Sequence, residues 1–145
     1  MLKLVDMKTY ECYFDGCCEP INPGGTMGFG VFIKSEEYEY RDSDNLPAKF
    51  NNTNNIAEYL AFTMLIKILK NKENQTIKIF GDSKLVIEQM LGKWKIKDGA
   101  YKPYALIAKP LFDELCKKNT VTLQWIPREE NKEADKQSKM HLNMK

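Results

Sequence analysis

Three strand-like stretches, two of them alternating in character, lead the chain. Tyr10 to Asp15, rich in aromatics, reads as a strand, and Met27 to Lys34 reads as a second in which Gly28 and Gly30 mark close backbone approach. Tyr38 to Asn45 alternates aromatic with charged residues, as an antiparallel third strand with one wet face does. Between the first two, Pro20-Ile21-Asn22-Pro23-Gly24-Gly25 punctuates the chain as a tight loop. Pro47 and the run Asn51-Asn52-Thr53-Asn54-Asn55 then end the strands and offer N-caps for a helix.

From Ile56 the spacing becomes helical. Ile56, Ala57, Leu60, Ala61, Met64, Leu65, Ile68 and Leu69 form a stripe to about Lys70, with Glu58 at its rim. Thr76 to Phe80 is a short strand, and Gly81-Asp82-Ser83 turns into a helix with Leu85, Val86, Met90 and Leu91 as its apolar positions and Gly92 as its stop. Tyr104 to Lys118 predicts a further helix with Leu106, Ile107, Leu111, Leu115 and Cys116 inward and a kink or split at Pro110. Thr120 to Ile126 predicts a last strand, Pro127 to Glu130 a loop, and Asn131 to about Leu142 a short charged helix. Three strands that can form hairpins, followed by helices alternating with strands, predict one α/β domain over residues 1–145 with a mixed sheet and helices on both faces.

Composition narrows this picture only a little. With 145 residues, 43% hydrophobic and 29% charged, the chain is long enough to bury a sizeable core. No apolar run approaches the ~18 residues of a membrane span, and Met1 to Tyr10 lacks the features of a signal peptide. A cytoplasmic, standalone, monomeric protein is therefore expected. The net charge of +2 imposes no strong field. Lysines cluster at Lys93, Lys95, Lys97 and Lys102, and at Lys132, Lys136, Lys139 and Lys145, which read first as solvated faces. Cys12, Cys17, Cys18 and Cys116 show neither paired zinc spacing nor a histidine partner, so reduced thiols are expected.

The chemistry concentrates in four acids. Asp15 closes an apolar run in Phe14-Asp15-Gly16, Glu58 opens a helix, Asp82 follows another apolar run, and Asp135 lies in Glu133-Ala134-Asp135. Acids at the ends of strands and starts of helices can converge at one edge of a sheet. An all-carboxylate set suits hard divalent cations, and a pair of them ~3.5 to 4 Å apart can clamp the attacking and leaving oxygens of a phosphodiester.

Read in order, Phe-Asp-Gly-Cys-Cys, Asn-Pro-Gly-Gly, Thr-Asn-Asn-Ile-Ala-Glu, Gly-Asp-Ser and Asn-x-x-Ala-Asp resemble the type 1 ribonuclease H family from about Tyr10 to Ser138. The resemblance implies a ribonuclease H-like fold, a mixed five-stranded sheet of order 3-2-1-4-5 with strand 2 antiparallel. It implies an endonuclease that hydrolyses the RNA strand of RNA/DNA hybrids with two Mg²⁺ ions, or Mn²⁺ in their place, leaving 5′-phosphate and 3′-hydroxyl ends. Asp15, Glu58, Asp82 and Asp135 match the family's metal ligands, with Asp15 bridging both ions. Gly16, Cys18, Asn22, Asn54 and Asn55 match or nearly match positions that contact the hybrid, and Thr53 matches a threonine that holds a DNA-strand phosphate. Asparagines in these places also cap helices and form turns, and the two roles are compatible.

Lys93-Trp94-Lys95 interleaves a planar group with positive charge, which suits phosphate and deoxyribose contacts; the alternative is an exposed helix end with Trp94 in the core. Two departures from the family stand out. The longer basic insert of some members is missing, and the loop before the last acid, where many members carry a histidine, is Pro127-Arg128-Glu129-Glu130. The one histidine, His141, lies near the C-terminus, and Arg128 or Glu129 could serve near the scissile phosphate instead. A catalytically silent hybrid-binding module, or a related nuclease acting on another duplex, are the competing readings.

Overall fold

A computed structural model describes residues 8–143; the N-terminal residues before Lys8 and the final Met144 and Lys145 lie outside it, so most of the Met1–Tyr10 reading does too. The strands are β1 (Thr9–Glu19), β2 (Thr26–Lys34), β3 (Glu39–Leu46), β4 (Thr76–Gly81) and β5 (Thr120–Trp125). The helices are α1 (Asn54–Leu69), α2 (Lys84–Met90), α3 (Lys102–Lys118) and α4 (Lys132–Ser138), with short 3₁₀ turns at Arg128–Glu130 and Met140–Asn143. The five strands form one sheet of order β3-β2-β1-β4-β5. β2 is antiparallel to β1 and β3, while β1, β4 and β5 run parallel, as expected for this mixed architecture.

One face of the sheet carries the core. Cys12, Phe14, Val31, Ile33, Ile77 and Ile79 meet Tyr59, Phe62, Leu65 and Leu69 of α1, which in turn packs on Ala105, Ala108, Phe112 and Leu115 of α3. Phe14 meets Phe62 edge to face at 5.2 Å between centroids, and Phe62 meets Phe112 at 5.5 Å, so one aromatic chain links the three layers. Because α1 lies between sheet and α3, its apolar surface is wider than a single stripe, and Tyr59, Phe62 and Ile66 are buried as well.

Two expectations for α3 fail. Leu106 and Ile107 are each 55% exposed and Cys116 faces solvent, whereas the alanines and Phe112 turn inward. Small Ala105 and Ala108 let α3 approach α1 closely, so the packed stripe follows the alanines rather than the larger aliphatics. Pro110 also leaves the helix whole. It sits on the exposed side of the helix. The last helix is shorter than expected, because the Ser138 hydroxyl donates to the Asp135 carbonyl at 2.7 Å and the chain tightens into the 3₁₀ turn beyond. β1, by contrast, runs past Asp15 to Glu19, since Gly16, Cys17 and Cys18 stay paired with β2 up to the proline-rich loop. All four cysteines are unpaired thiols.

On the opposite face α4 lies directly on β2. A β-carbon at Gly28 would stand 2.0 Å from the Ser138 carbonyl oxygen, and one at Gly30 would stand 2.3 Å from Gln137 Cβ. The expected close approach at these glycines is therefore that of the helix which carries Asp135. Gly30→Ala should lower stability by about 1–3 kcal/mol through overpacking, read as a reduced urea midpoint with an unchanged slope.

Candidate active site

The register of the parallel strands brings the first two acids together. Phe14 of β1 lies opposite Gly81 of β4, so Asp15 and Asp82, one step further on, emerge side by side at the sheet edge. Glu58 arrives from the core side, on the first turns of α1. Its approach depends on Gly16, where a β-carbon would lie 2.3 Å from the Ala57 carbonyl carbon and 2.5 Å from the Glu58 nitrogen. Without a side chain there, the Gly16 N–H donates to Glu58 Oε1 at 3.0 Å. Carboxylate oxygens of Asp15, Glu58 and Asp82 consequently lie within 4.8 Å of one another.

Asp135 stands at the edge of this trio and differs from it electrostatically. It pairs with Lys139 at 3.2 Å and with Arg128 at 3.5 Å, and its side chain is 29% exposed. Lys139, read from the sequence as part of a solvated face, is thus half-buried against an acid of the site. Burial pushes the Asp15 carboxyl up to about 8, with the charges of Asp82 and Asp135 adding to it. Burial, then Asp15 and Asp82, hold Glu58 well above the ordinary carboxylate range. Asp82 is raised by burial and relieved by hydrogen bonds to Asn131 and Asp15. Asp135 goes the other way: partial burial opposes its charge, but hydrogen bonding to Asp15 and Lys139 and the nearby cations outweigh it and hold the carboxyl low. Burial and mutual repulsion thus raise the proton affinity of all three interior acids, and a cation among them would relieve both.

Asn131 orders this cluster, although its side chain was not singled out from the sequence. It is 1% exposed, and its amide donates to the Phe14 carbonyl at 2.9 Å and to Asp82 Oδ2 at 3.5 Å, tying the start of α4 to β1 and β4. The available signal was its place in Asn-x-x-Ala-Asp, four residues before Asp135. Trp125 likewise donates its indole N–H to the Asp82 carbonyl at 3.1 Å, and Ser83 caps α2 through the Val86 N–H.

These acids floor a cleft of about 310 Å³, walled by Gly16, Asn54, Asn55, Ser83, Lys84 and Arg128 among others. Around it, most of the remaining candidates are linked by hydrogen bonds. Thr53 caps α1 by accepting from the Ile56 N–H at 3.2 Å. Asn54 accepts from the Cys18 N–H at 2.7 Å, and its own N–H donates to Asn22 at 3.1 Å. The Cys18 thiol is buried and donates to the Ile21 carbonyl at 3.2 Å. Lys93, Trp94 and Lys95 stand apart, in a hollow of about 540 Å³ that shares Leu85 with the acidic cleft. Trp94 is 46% exposed rather than part of the core.

That hollow rests on a buried polar knot. Gln89, 2% exposed, accepts from the Tyr59 hydroxyl and donates to the Lys95 carbonyl and the Tyr101 hydroxyl, each at 3.0 Å. Tyr59 follows Glu58 directly, so the basic segment and the acid are anchored to adjacent residues of α1. His141 lies elsewhere, in the C-terminal 3₁₀ turn against Gly28, with neither ring nitrogen hydrogen-bonded. The cationic residue that the last loop contributes to the cleft is Arg128.

Among the described residues, no helix is long and apolar enough to cross a membrane. Comparison with known proteins agrees with the architecture. Bifunctional protein Rv2228c of Mycobacterium tuberculosis is 29% identical over 115 residues, which cover 79% of this chain and 30% of that protein. YpeP of Bacillus subtilis is 29% identical over 133 residues, covering 90% of this chain and 58% of that protein. The chain thus spans less than two thirds of these relatives' length. RNase H1 from Halobacterium salinarum superposes with a TM-score of 0.74 at 24% identity, covering 93% of this chain and 98% of that one. LC11-RNase H1, isolated from compost, superposes at 0.75 and 26% identity over 94% and 99% of the two chains. In complex with an RNA/DNA hybrid, LC11-RNase H1 superposes at 0.73 and 25% identity over 88% and 92%. The sequence model of the RNase H family matches residues 7–142, and the chain belongs to that family.

Proposed function

We propose that this chain is a metal-dependent endoribonuclease that hydrolyses the RNA strand of RNA/DNA hybrids, leaving 5′-phosphate and 3′-hydroxyl ends, within a single RNase H domain. The observation that carries this reading is the convergence of buried Asp15 and Glu58 with half-buried Asp82 within 4.8 Å. The known binding of LC11-RNase H1 to an RNA/DNA hybrid supports the choice of substrate.

The donor set suits hard divalent cations such as Mg²⁺ or Mn²⁺, of which two would be bound. It consists of carboxylate oxygens with no histidine or thiolate among them, and it is crowded enough to resist ionisation without added positive charge. Asp15, Glu58 and Asp82 would hold the ions, with Asp135 at their edge. When bound, such ions supply Lewis-acid activation of water and neutralise charge on the phosphate during in-line displacement.

The chain's own groups would do the rest. Arg128 and Lys84, which both line the cleft, would receive the negative charge of the scissile phosphate. Asn54 has both its oxygen and its backbone N–H engaged, but among the described residues nothing accepts from its side-chain amide, which is free to meet a 2′-hydroxyl. Gly16 and Asn55 would complete that polar wall, and Lys93, Trp94 and Lys95 would follow the DNA strand beyond Leu85. With His141 not among the residues that line the cleft, the metals and the carboxylates would carry nearly all of the chemistry.

Labelled RNA/DNA hybrid should be cut with Mg²⁺ or Mn²⁺ and left intact with chelator, while matched DNA duplex is untouched. Absence of metal-dependent cutting with hybrid binding preserved would select the silent binding module instead. Asp15→Asn should keep hybrid binding and lose at least about a thousandfold in cleavage, because losing a metal site removes several kcal/mol of transition-state stabilisation.

Stability should report the same site. Asp15 titrates near 8 when folded instead of near 3.8. Between those values the unfolded chain has released a proton that the folded one keeps, so stability without metal should fall as pH rises through that window. Thermal melts should show this slope flattened by Asp15→Asn and by divalent cation.

A further inference from the structure

Two of the most exposed large apolar side chains lie in the loops next to the cleft. Phe50 is 91% exposed and Ile21 is 62% exposed. Scattered exposed hydrophobes are ordinary, but these two project from loops that share a single buried knot. Asn52 is 4% exposed, and its side-chain amide donates to the Gly25 and Pro47 carbonyls, each at 2.9 Å. Its backbone carbonyl accepts from the Gly24 N–H at 2.9 Å, and its N–H donates to the Lys49 carbonyl at 3.0 Å. The Asn22–Asn54 bond adds a further link between the loops. Both tips are thus presented from a fixed base, which lowers the entropy lost when a partner covers them.

Their neighbours indicate the partner. Ile21 immediately precedes Asn22, and Phe50 lies in the segment that leads into Thr53, Asn54 and Asn55. Lys49, beside Phe50, has no ion pair among the described residues, which leaves a positive charge for a phosphate at the same tip. A nucleic-acid duplex offers the matching surface: phosphates outside, and sugar edges exposed across a wide, shallow minor groove. Apolar side chains are common contacts on that side of a duplex.

The sugars of the two strands differ in one respect that an apolar tip can sense. Deoxyribose presents a methylene where ribose presents a hydroxyl, and covering a hydroxyl without giving it a partner is costly. We propose that Phe50, together with Ile21, packs on deoxyribose sugars in the minor groove of a bound hybrid and so reads the DNA strand. The same loop knot would then read both strands, with asparagine amides on the ribose and apolar tips on the deoxyribose. This rests on the reading of the cleft as a hybrid-cutting site.

The test uses Asp15→Asn protein, so that binding is measured without cutting, and fluorescence anisotropy with labelled hybrid and labelled double-stranded RNA of matched sequence. Adding Phe50→Ala should weaken hybrid binding about tenfold, the scale of a lost aromatic contact to a nucleotide, while double-stranded RNA binding changes far less. Phe50→Leu should retain more of the hybrid affinity, and the melting temperature of each variant should match its parent because the ring is exposed. In cutting-competent protein, Phe50→Ala should raise KM for hybrid about tenfold with little change in kcat. Unchanged hybrid affinity, or equal losses on the two duplexes, would overturn the proposal. So would a dimer that Phe50→Ala dissolves, since the tips would then serve a second copy of the chain. Failure of the parent to bind hybrid at all would instead remove the proposed function, and this contact with it.

Discussion

The carboxylates of Asp15, Glu58 and Asp82 lie within 4.8 Å of one another in a largely desolvated corner, and the fold has to assemble them against both burial and mutual repulsion. Their raised proton affinities are the visible consequence. The favourable side of the balance lies elsewhere, in the apolar layers formed by the sheet, α1 and α3. The acids can sit where they do because they hang at the edge of that core, attached to elements whose positions the core decides.

Two close approaches turn this packing into a site. Gly16 lets the first turn of α1 press on β1, which brings Glu58 to Asp15 from one face of the sheet. Gly28 and Gly30 let α4 press on β2, which brings Asp135 in from the other. Side chains at any of these positions would separate helices from the sheet by ångströms, and the carboxylates would separate with them. Glycine in these strands weakens them locally, and the gain is a cluster that larger residues would prevent.

Polar side chains do a second kind of work, tying loops to the same elements. Asn131 joins β1, β4 and α4, Gln89 joins α1 to the basic segment and to α3, and Asn52 joins the two loops that flank the asparagines. Each is nearly inaccessible to solvent and hydrogen-bonded across elements distant in the chain. Buried amides of this kind are expensive if unpaired, so they favour one loop arrangement over its alternatives. The cleft and the neighbouring hollow therefore have defined shapes although loops form much of their walls.

Local pattern was sufficient for the order of elements and for the positions of the acids. Alternation at Tyr10–Asp15, helical spacing from Ile56 and the Gly-Asp-Ser turn each depend on near neighbours and implied a mixed sheet, while the strand order came from the resemblance of the ordered motifs to the ribonuclease H family. Packing partners were not legible in the same way. Which face of α3 turns inward depends on how closely Ala105 and Ala108 allow α1 to approach, and whether Pro110 breaks the helix depends on which side meets water. The partition among the acids was also invisible, since it arises from the meeting of Asp135 with Lys139 and Arg128 and from the burial of Asp15 and Glu58 and the partial burial of Asp82. Sequence by itself determined which groups are available and roughly where each element begins, because those are set by neighbours along the chain. Only the tertiary structure decided which of them share a dielectric and a charge, because distance and desolvation exist only once remote segments have packed.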